Sequence, residues 1–294
     1  MEGKISWWLK WDKDTANSND TPEEKAIEKE EKKVELSDSE FERIVKYIQG
    51  RYGIDLSAKR VLITGRLENF LLREGYQSYH EYLAKVEKNP NGEEARILIN
   101  VLTTNHTYFM REFEHLEYLK NVILPWIRNK EMNRGKDVRI WSAASSTGEE
   151  PYMIEMVLQD FFSMDPGWDT QILATDISTR VLQKAKSGIY LKEQLQPVPD
   201  VWKRRYFKAI SPEQYQAVPG LRKKIVFRQF NLMDDITFKG LFHVVFLRNV
   251  MIYFDEERKR RLLDRIYKHM ANGGYLFIGT TESVDKGAMS FKYV

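Results

Sequence analysis

Between residues 137 and 280 the chain repeats one unit, a short apolar run followed by a helical stretch. DVRIWSA, QILATDI, FHVVFLRN and YLFIGTT read as strands. EEPYMIEMVLQDFF, STRVLQKAKSG and DEERKRRLLDRIYKHMANGG read as helices, the last capped by glycine. Runs such as HVVFL and YLFIG have no polar face, so both sides of such a strand must be covered. Strands joined through helices lie parallel, because a parallel neighbour needs a crossover. The pattern predicts an α/β, doubly wound sheet over residues 129–294 and puts any ligand at the carboxyl ends of its strands. One stretch departs from it. YQAVPGLRKKIVFRQF reads as two strands around Pro219-Gly220, an inserted β hairpin at about 211–228.

Residues 37–128 follow a helical period instead. Ser37 and Ser39 precede FERIVKYIQGRYGI, in which Phe41, Ile44, Val45 and Ile48 share one face and Gly53 offers a stop. AKRVLITGRLENFLLREG, SYHEYLAKVEKN and EEARILINVLTTN follow, the third helix ending at Asn89-Pro90-Asn91-Gly92. Short connections predict a small helical bundle followed by a linker. On the second helix Lys59, Arg66 and Arg73 recur every seven residues beside Arg60. Two readings stand, a solvated face and a docking surface for an acidic partner.

Residues 1–36 carry a net charge of −3, and residues 129–294 carry +6, within a chain whose total is +3. The stretch after ISWWLKW is too polar to bury much surface, which predicts a mobile leader. Trp7, Trp8 and Trp11 leave open the second reading, docking on a partner or on the body of the protein. Cysteine is absent, which excludes disulfides, thiolate metal sites and a cysteine nucleophile. The five histidines show no metal-ligand spacing, and G-x-S-x-G and phosphate-loop patterns are missing, so no metal is expected. No apolar run reaches the roughly 20 residues of a membrane helix, and no signal peptide is legible. A soluble cytoplasmic monomer without direct membrane insertion is the expectation.

Four segments stand where a doubly wound fold keeps its chemistry. WSAASSTGEEPY turns from a strand into a helix through small residues that let a ligand approach the backbone. It lacks the glycines of a dinucleotide turn. Glu149 and Glu150 disfavour phosphate and suit a cationic ligand, or they simply complement the helix dipole. Asp176 ends the second strand, where an acid meets ribose hydroxyls or caps the next helix. Arg248, Asn249 and Tyr253 follow the strand FHVVF. TTNHTYFMRE, with Asn105, Thr107 and Arg111, lies between the two regions and is either functional or a capped linker.

Taken together, TTNHTYFMRE, WSAASSTGEEPY, LATDISTRVLQKAKSGIY and FLRNVMIYFD closely resemble the chemotaxis receptor glutamate methyltransferases, the CheR-type family, from residue 37 to about 290. The resemblance implies a helical amino-terminal domain joined to a class I, Rossmann-like methyltransferase domain that binds S-adenosylmethionine. It implies methyl transfer to glutamate carboxylates on the cytoplasmic helices of chemoreceptors, with S-adenosylhomocysteine as product. It assigns Asn105, Thr107, Arg111, Glu150, Asp176, Asn231, Leu232, Arg248 and Asn249 to the cofactor. Arg111 and Tyr253 also fall at the methyl-transfer centre.

Physical roles follow for these residues. Asp176 accepts from the ribose hydroxyls, Glu150 balances the cationic part of the cofactor, and Asn231 pairs with adenine. The acceptor glutamate is already ionised at neutral pH, so no general base is required. The family's sheet continues past the last strand found here, so a missing closing strand is expected. The inserted hairpin is too short and glycine-poor to carry over the receptor-tail tether of some family members. The alternatives are a methyltransferase for another acceptor and a non-catalytic cofactor-sensing or scaffold protein. Basic runs such as Arg258–Arg261 raise nucleic acid as an acceptor, but LRNV replaces the base-holding N-P-P-Y type of motif, so no nucleic-acid partner is expected.

Overall fold

A computed structural model describes residues 34–129, 135–284 and 291–294. The tryptophan cluster and the charged stretch of the leader lie outside these residues. Val34 and Leu36, at the leader's end, are buried against the helical core, and the Leu36 carbonyl accepts from Arg60 Nη2 at 2.7 Å.

The first four helices are α1 (Asp38–Tyr52), α2 (Arg60–Arg73), α3 (Tyr79–Lys88) and α4 (Glu93–Leu102). Ser37 starts α1 with a capping box, its hydroxyl accepting from the Glu40 amide while the Glu40 carboxylate accepts from the Ser37 amide. Ile44, Ile48, Ile63, Leu67, Tyr82 and Leu98 fill the core between these helices. Gly53 ends α1 with φ 74°, and a side chain there would strike Met233 Sδ at 2.7 Å. That close approach seats the end of α1 on the second region.

A short helix α5 (Glu114–Tyr118) runs through a π-helical turn at Leu119–Ile123 into α6 (Leu124–Asn129). The chain then alternates: β1 (Ile140–Ala143), α7 (Glu149–Phe161), β2 (Ile172–Asp176) and α8 (Thr179–Ser187). Next come β3 (Ile189–Leu191), α9 (Asp200–Tyr206), β4 (Phe207–Ala209), β5 (Gln214–Ala217), α10 (Pro219–Arg222) and β6 (Ile225–Gln229). The chain continues through β7 (Phe242–Leu247), α11 (Glu256–Lys268) and β8 (Met270–Ile278).

The main sheet has the order β6-β2-β1-β7-β8, and every neighbouring pair is parallel. Strands run outward from β1 in both directions, so the order reverses beside β1 and opens a crevice at the carboxyl ends. All four residues of β1 are buried, as the unbroken apolar pattern requires. Among the described residues the sheet ends on β8.

The inserted hairpin is corrected. YQA and IVFRQ do not pair with each other. β5 lies between β3 and β4 in a separate antiparallel sheet, whereas β6 pairs with β2 in the main sheet. Pro219 is the cause. It has no amide to donate and its fixed φ suits the first turn of a helix, so α10 separates the two strands. The small β subdomain therefore spans Ile189 to Ala217.

Candidate active site

A cavity of about 310 Å³ opens at the carboxyl ends of β1, β2 and β7. Its walls come from Thr103–Tyr108 with Arg111, from Ala144–Ser146 with Glu150, and from Arg248–Val250 with Ile252 and Tyr253. Tyr52, the last residue of α1, and Ile54 and Leu56, from the loop joining α1 to α2, close one side. Two hydrogen bonds fix this segment. The Asp55 amide donates to the Tyr253 carbonyl at 3.1 Å, and Asn231 Nδ2 donates to the Arg51 carbonyl at 2.9 Å.

The turn after β1 depends on glycine. Gly148 stands at φ 97°, and a side chain there would meet Ala185 Cβ at 2.9 Å. The two glutamates that follow diverge. Glu149 is buried beneath the turn with the Thr147 hydroxyl, and burial raises its carboxyl above the ordinary range. Glu150 faces the cavity, accepting from the Ser142 hydroxyl at 2.7 Å and from Arg248 Nη1 at 2.8 Å.

Asp176 accepts from the Ser146 amide through Oδ2 and from the Ser178 amide through Oδ1, both at 2.9 Å. Burial pushes its carboxyl up to about 6, while the backbone donors Ser178, Ser146 and Ile177 pull it down. Ser178 caps α8 through its hydroxyl, so Asp176 does not serve as that cap. Each carboxylate oxygen keeps acceptor capacity for a ligand hydroxyl.

The Arg248 side chain is 3% exposed and lies between two acids. Its Nε and Nη2 reach Glu112 Oε2 at 3.1 and 3.0 Å, Nη1 reaches Glu150, and Nη2 also donates to the Arg111 carbonyl at 2.6 Å. Glu112 additionally accepts from Asn249 Nδ2 at 3.1 Å and from the Thr280 hydroxyl at 3.3 Å. Burial works to raise its carboxyl, but the Asn249 hydrogen bond and the Arg248 charge outweigh it and hold the group below the ordinary range. Glu112 belongs to the quoted segment TTNHTYFMRE, yet sequence reasoning did not single it out. Its partners lie 136 residues or more away in the chain.

Two carboxylates, Glu150 and Asp176, line the cavity with two guanidiniums, Arg111 and Arg248, and a third carboxylate, Glu112, lies behind Arg248 outside the lining. With Asp176 ionised these five groups together carry a negative excess, which favours a cationic ligand. Backbone strain gathers on the same segments. Of six non-glycine residues with left-handed φ among the described residues, five line up here: Met110, Glu112, Ala144, Ser146 and Asn249. Each such residue costs about 1–3 kcal/mol and persists where its surroundings hold it.

The predicted site residues divide. Asn105, Thr107, Arg111, Glu150, Asp176, Asn231, Leu232, Arg248, Asn249 and Tyr253 all line the cavity. Arg111 Nη1 donates to the His106 carbonyl at 2.9 Å, and its guanidinium lies 5.8 Å from the Tyr108 ring centre. Asn231 departs from the adenine expectation. Its amide donates to Arg51 and to Asp234, and its oxygen accepts from the Met233 amide. The side chain is committed to joining the helical region to the sheet. Asn231→Ala is expected to lower unfolding stability by about 1–3 kcal/mol, because the Arg51 carbonyl loses its donor. Urea titration of the two proteins checks this.

Lys59, Arg66 and Arg73 do not act as one surface. Arg66 turns inward and donates to the Leu102 and Thr103 carbonyls at 2.9 and 3.0 Å, closing the end of α4 where the cavity wall begins. Lys59 is exposed, and Arg73 pairs with Glu74 at 2.9 Å. The heptad spacing put Arg66 on the right face, but α4 packs against that face.

Known proteins match this chain along most of its length. The family described as "CheR methyltransferase, SAM binding domain" matches residues 105–294, and "CheR methyltransferase, all-alpha domain" matches residues 39–103. The chemotaxis protein methyltransferase of Borreliella burgdorferi is 36% identical over 265 residues, 89% of this chain and 93% of that protein. Those of Escherichia coli and Salmonella typhimurium are each 37% identical over 254 residues, 84% of this chain and 85% of theirs.

Proposed function

Since this chain belongs to the CheR methyltransferase family and methylates in chemotaxis with S-adenosylmethionine, we propose that its acceptors are glutamate side chains of chemoreceptor cytoplasmic helices. The product of each transfer is then a glutamate methyl ester. The observation that carries the reading is a cavity lined by the Arg111 guanidinium and Tyr253 together with the carboxylates Glu150 and Asp176. Its polar groups suit a cationic nucleoside on one side and a carboxylate on the other.

The residues present fit the cofactor by their chemistry. Asp176 offers acceptor oxygens to ribose hydroxyls, and Glu150 and Glu112 supply negative charge near a cation. When bound, S-adenosylmethionine supplies an electrophilic methyl group on a sulfonium. Arg248 holds Glu150 and Glu112 at fixed places, so their field needs no rearrangement during transfer. Arg111 grips the acceptor carboxylate by charge-assisted hydrogen bonds while leaving one lone pair of the attacking oxygen free. Tyr253, whose carbonyl is tied to Asp55, orients the same carboxylate. Asn231 and Asp55 carry the helical region into this geometry by fastening the end of α1 and the loop after it to the segments that follow β6 and β7.

Arg111→Ala should reduce turnover on chemoreceptor-bearing membranes by about 100-fold at saturating cofactor, because carboxylate alignment is lost. Cofactor affinity should change much less. Near-normal turnover of the variant removes Arg111 from the transfer step. The reading as a whole is tested with cofactor carrying a labelled methyl group, offered to membranes with and without chemoreceptors. Label on receptors supports it, and label on nucleic acid or on no acceptor contradicts it.

A further inference from the structure

We infer that Glu282 is a positioning residue for methyl transfer, acting as a clamp on the turn that carries Arg248, Asn249 and Tyr253. The inference rests on the methyltransferase reading above but concerns a residue outside the cavity wall. Glu282 follows β8 in the segment GTTES. Its two carboxylate oxygens collect four backbone amides. Oε2 accepts from Asn249 at 2.8 Å and from Gly279 at 2.7 Å. Oε1 accepts from Met251 at 2.7 Å and from Ile252 at 3.3 Å. The Glu282 amide itself donates to the Gly279 carbonyl at 2.9 Å.

One side chain thus fastens the turn after β7 to the turn after β8. Charge-assisted hydrogen bonds of this kind are about twice as strong as neutral ones. The contact explains two features that are otherwise costly. Asn249 holds φ 58°, a left-handed conformation, and the clamp takes its amide in that conformation. Gly279 has no space for a side chain, because a Cβ there would meet Asn249 Oδ1 and Glu282 Oε2, each at 2.9 Å. Both turns also hold Glu112, through Asn249 Nδ2 and the Thr280 hydroxyl.

The consequence reaches the chemistry through geometry. Asn249 and Arg248 fix Glu112, Arg248 fixes Glu150, and the turn Met251–Tyr253 carries the tyrosine at the cavity. A loosened clamp would leave these groups present but misaligned. Misalignment of about 1 Å is enough to slow a positioned reaction by about 100-fold.

Two measurements test the clamp. Glu282→Gln keeps one acceptor oxygen but sets an amide group against the donors on the other side. It should lower kcat by about tenfold or more, Glu282→Ala should lower it further, and KM for the cofactor should move less than kcat. The partial rescue by glutamine separates a positioning role from simple loss of the fold. The second measurement does not depend on the acceptor or on turnover. In the wild-type protein the amides of Asn249, Met251, Ile252 and Gly279 should exchange slowly with solvent deuterium, and in Glu282→Gln they should exchange faster. Wild-type kcat in Glu282→Ala, or unprotected amides at these positions in the wild type, would overturn the inference. Absence of methyl transfer by the wild type would instead count against the functional reading and leave the exchange test standing.

Discussion

Asp176→Asn should weaken S-adenosylhomocysteine binding by about 100-fold or more, the loss of about two charge-assisted hydrogen bonds, while the protein stays folded. The carboxylate is acceptor-only and already takes amides from Ser146 and Ser178. Each carboxylate oxygen faces one of these amides, so an asparagine must turn its NH₂ toward one of them, where a donor meets a donor, and it keeps only one acceptor oxygen for the ribose. Stability should fall little, since the substitution also removes a buried charge.

The same residue gives the binding a pH dependence with a definite sign. The Asp176 carboxyl is raised by burial to about 6 from an ordinary 3.8. The group therefore favours the folded state most below its ordinary value, and that contribution is lost as pH rises through about 6. Binding runs the other way, because ribose hydroxyls need the ionised form. Affinity of the wild type should fall as pH drops below about 6, and the asparagine variant should show a flatter profile over the same range. Calorimetric titration of both proteins across this range measures both effects.

Arg248→Ala should be the most destabilising change in the cavity, at about 3–5 kcal/mol near neutral pH. It leaves Glu112 and Glu150, both largely shielded from solvent, without the cation that they share. Loss of transfer activity should accompany it. The pH dependence again follows from the acids. Glu112 is held below the ordinary carboxylate range in the wild type, so its stabilising contribution exists above that range and is lost as pH falls. Without Arg248 that contribution disappears, and the gap between variant and wild type should narrow in acid. Urea midpoints at neutral and at acid pH give the comparison. Arg248→Lys keeps the charge without the planar fork and should fall between the two.

The cavity was legible in the sequence wherever a local rule places a residue. Asp176 ends a buried strand, Arg248 and Asn249 follow another, and Gly148 precedes a helix, so each position follows from strand and helix periods alone. What was not legible depends on pairing between distant segments. β3, β4 and β5 are short and only partly buried, and they exist as strands because β5 finds partners on both sides. The apparent hairpin was two strands of different sheets, divided by a helical turn that Pro219 starts. Asn231 shows the same limit for a side chain. Its place on the cavity wall was expected, but its hydrogen bonds go to Arg51, which is 180 residues away. Glu112 and Glu282 carry no local signal in the sequence, because their partners gather only when the turns around them close.

The proposed acceptor atom of the methyl group is a carboxylate oxygen. Purified receptor cytoplasmic fragment, incubated with this protein and cofactor carrying a labelled methyl group, should take up label that mild alkali releases as methanol. Replacing the modified glutamates with alanine should abolish the uptake. Alkali-stable label, or equal labelling of the alanine fragment, would contradict the account.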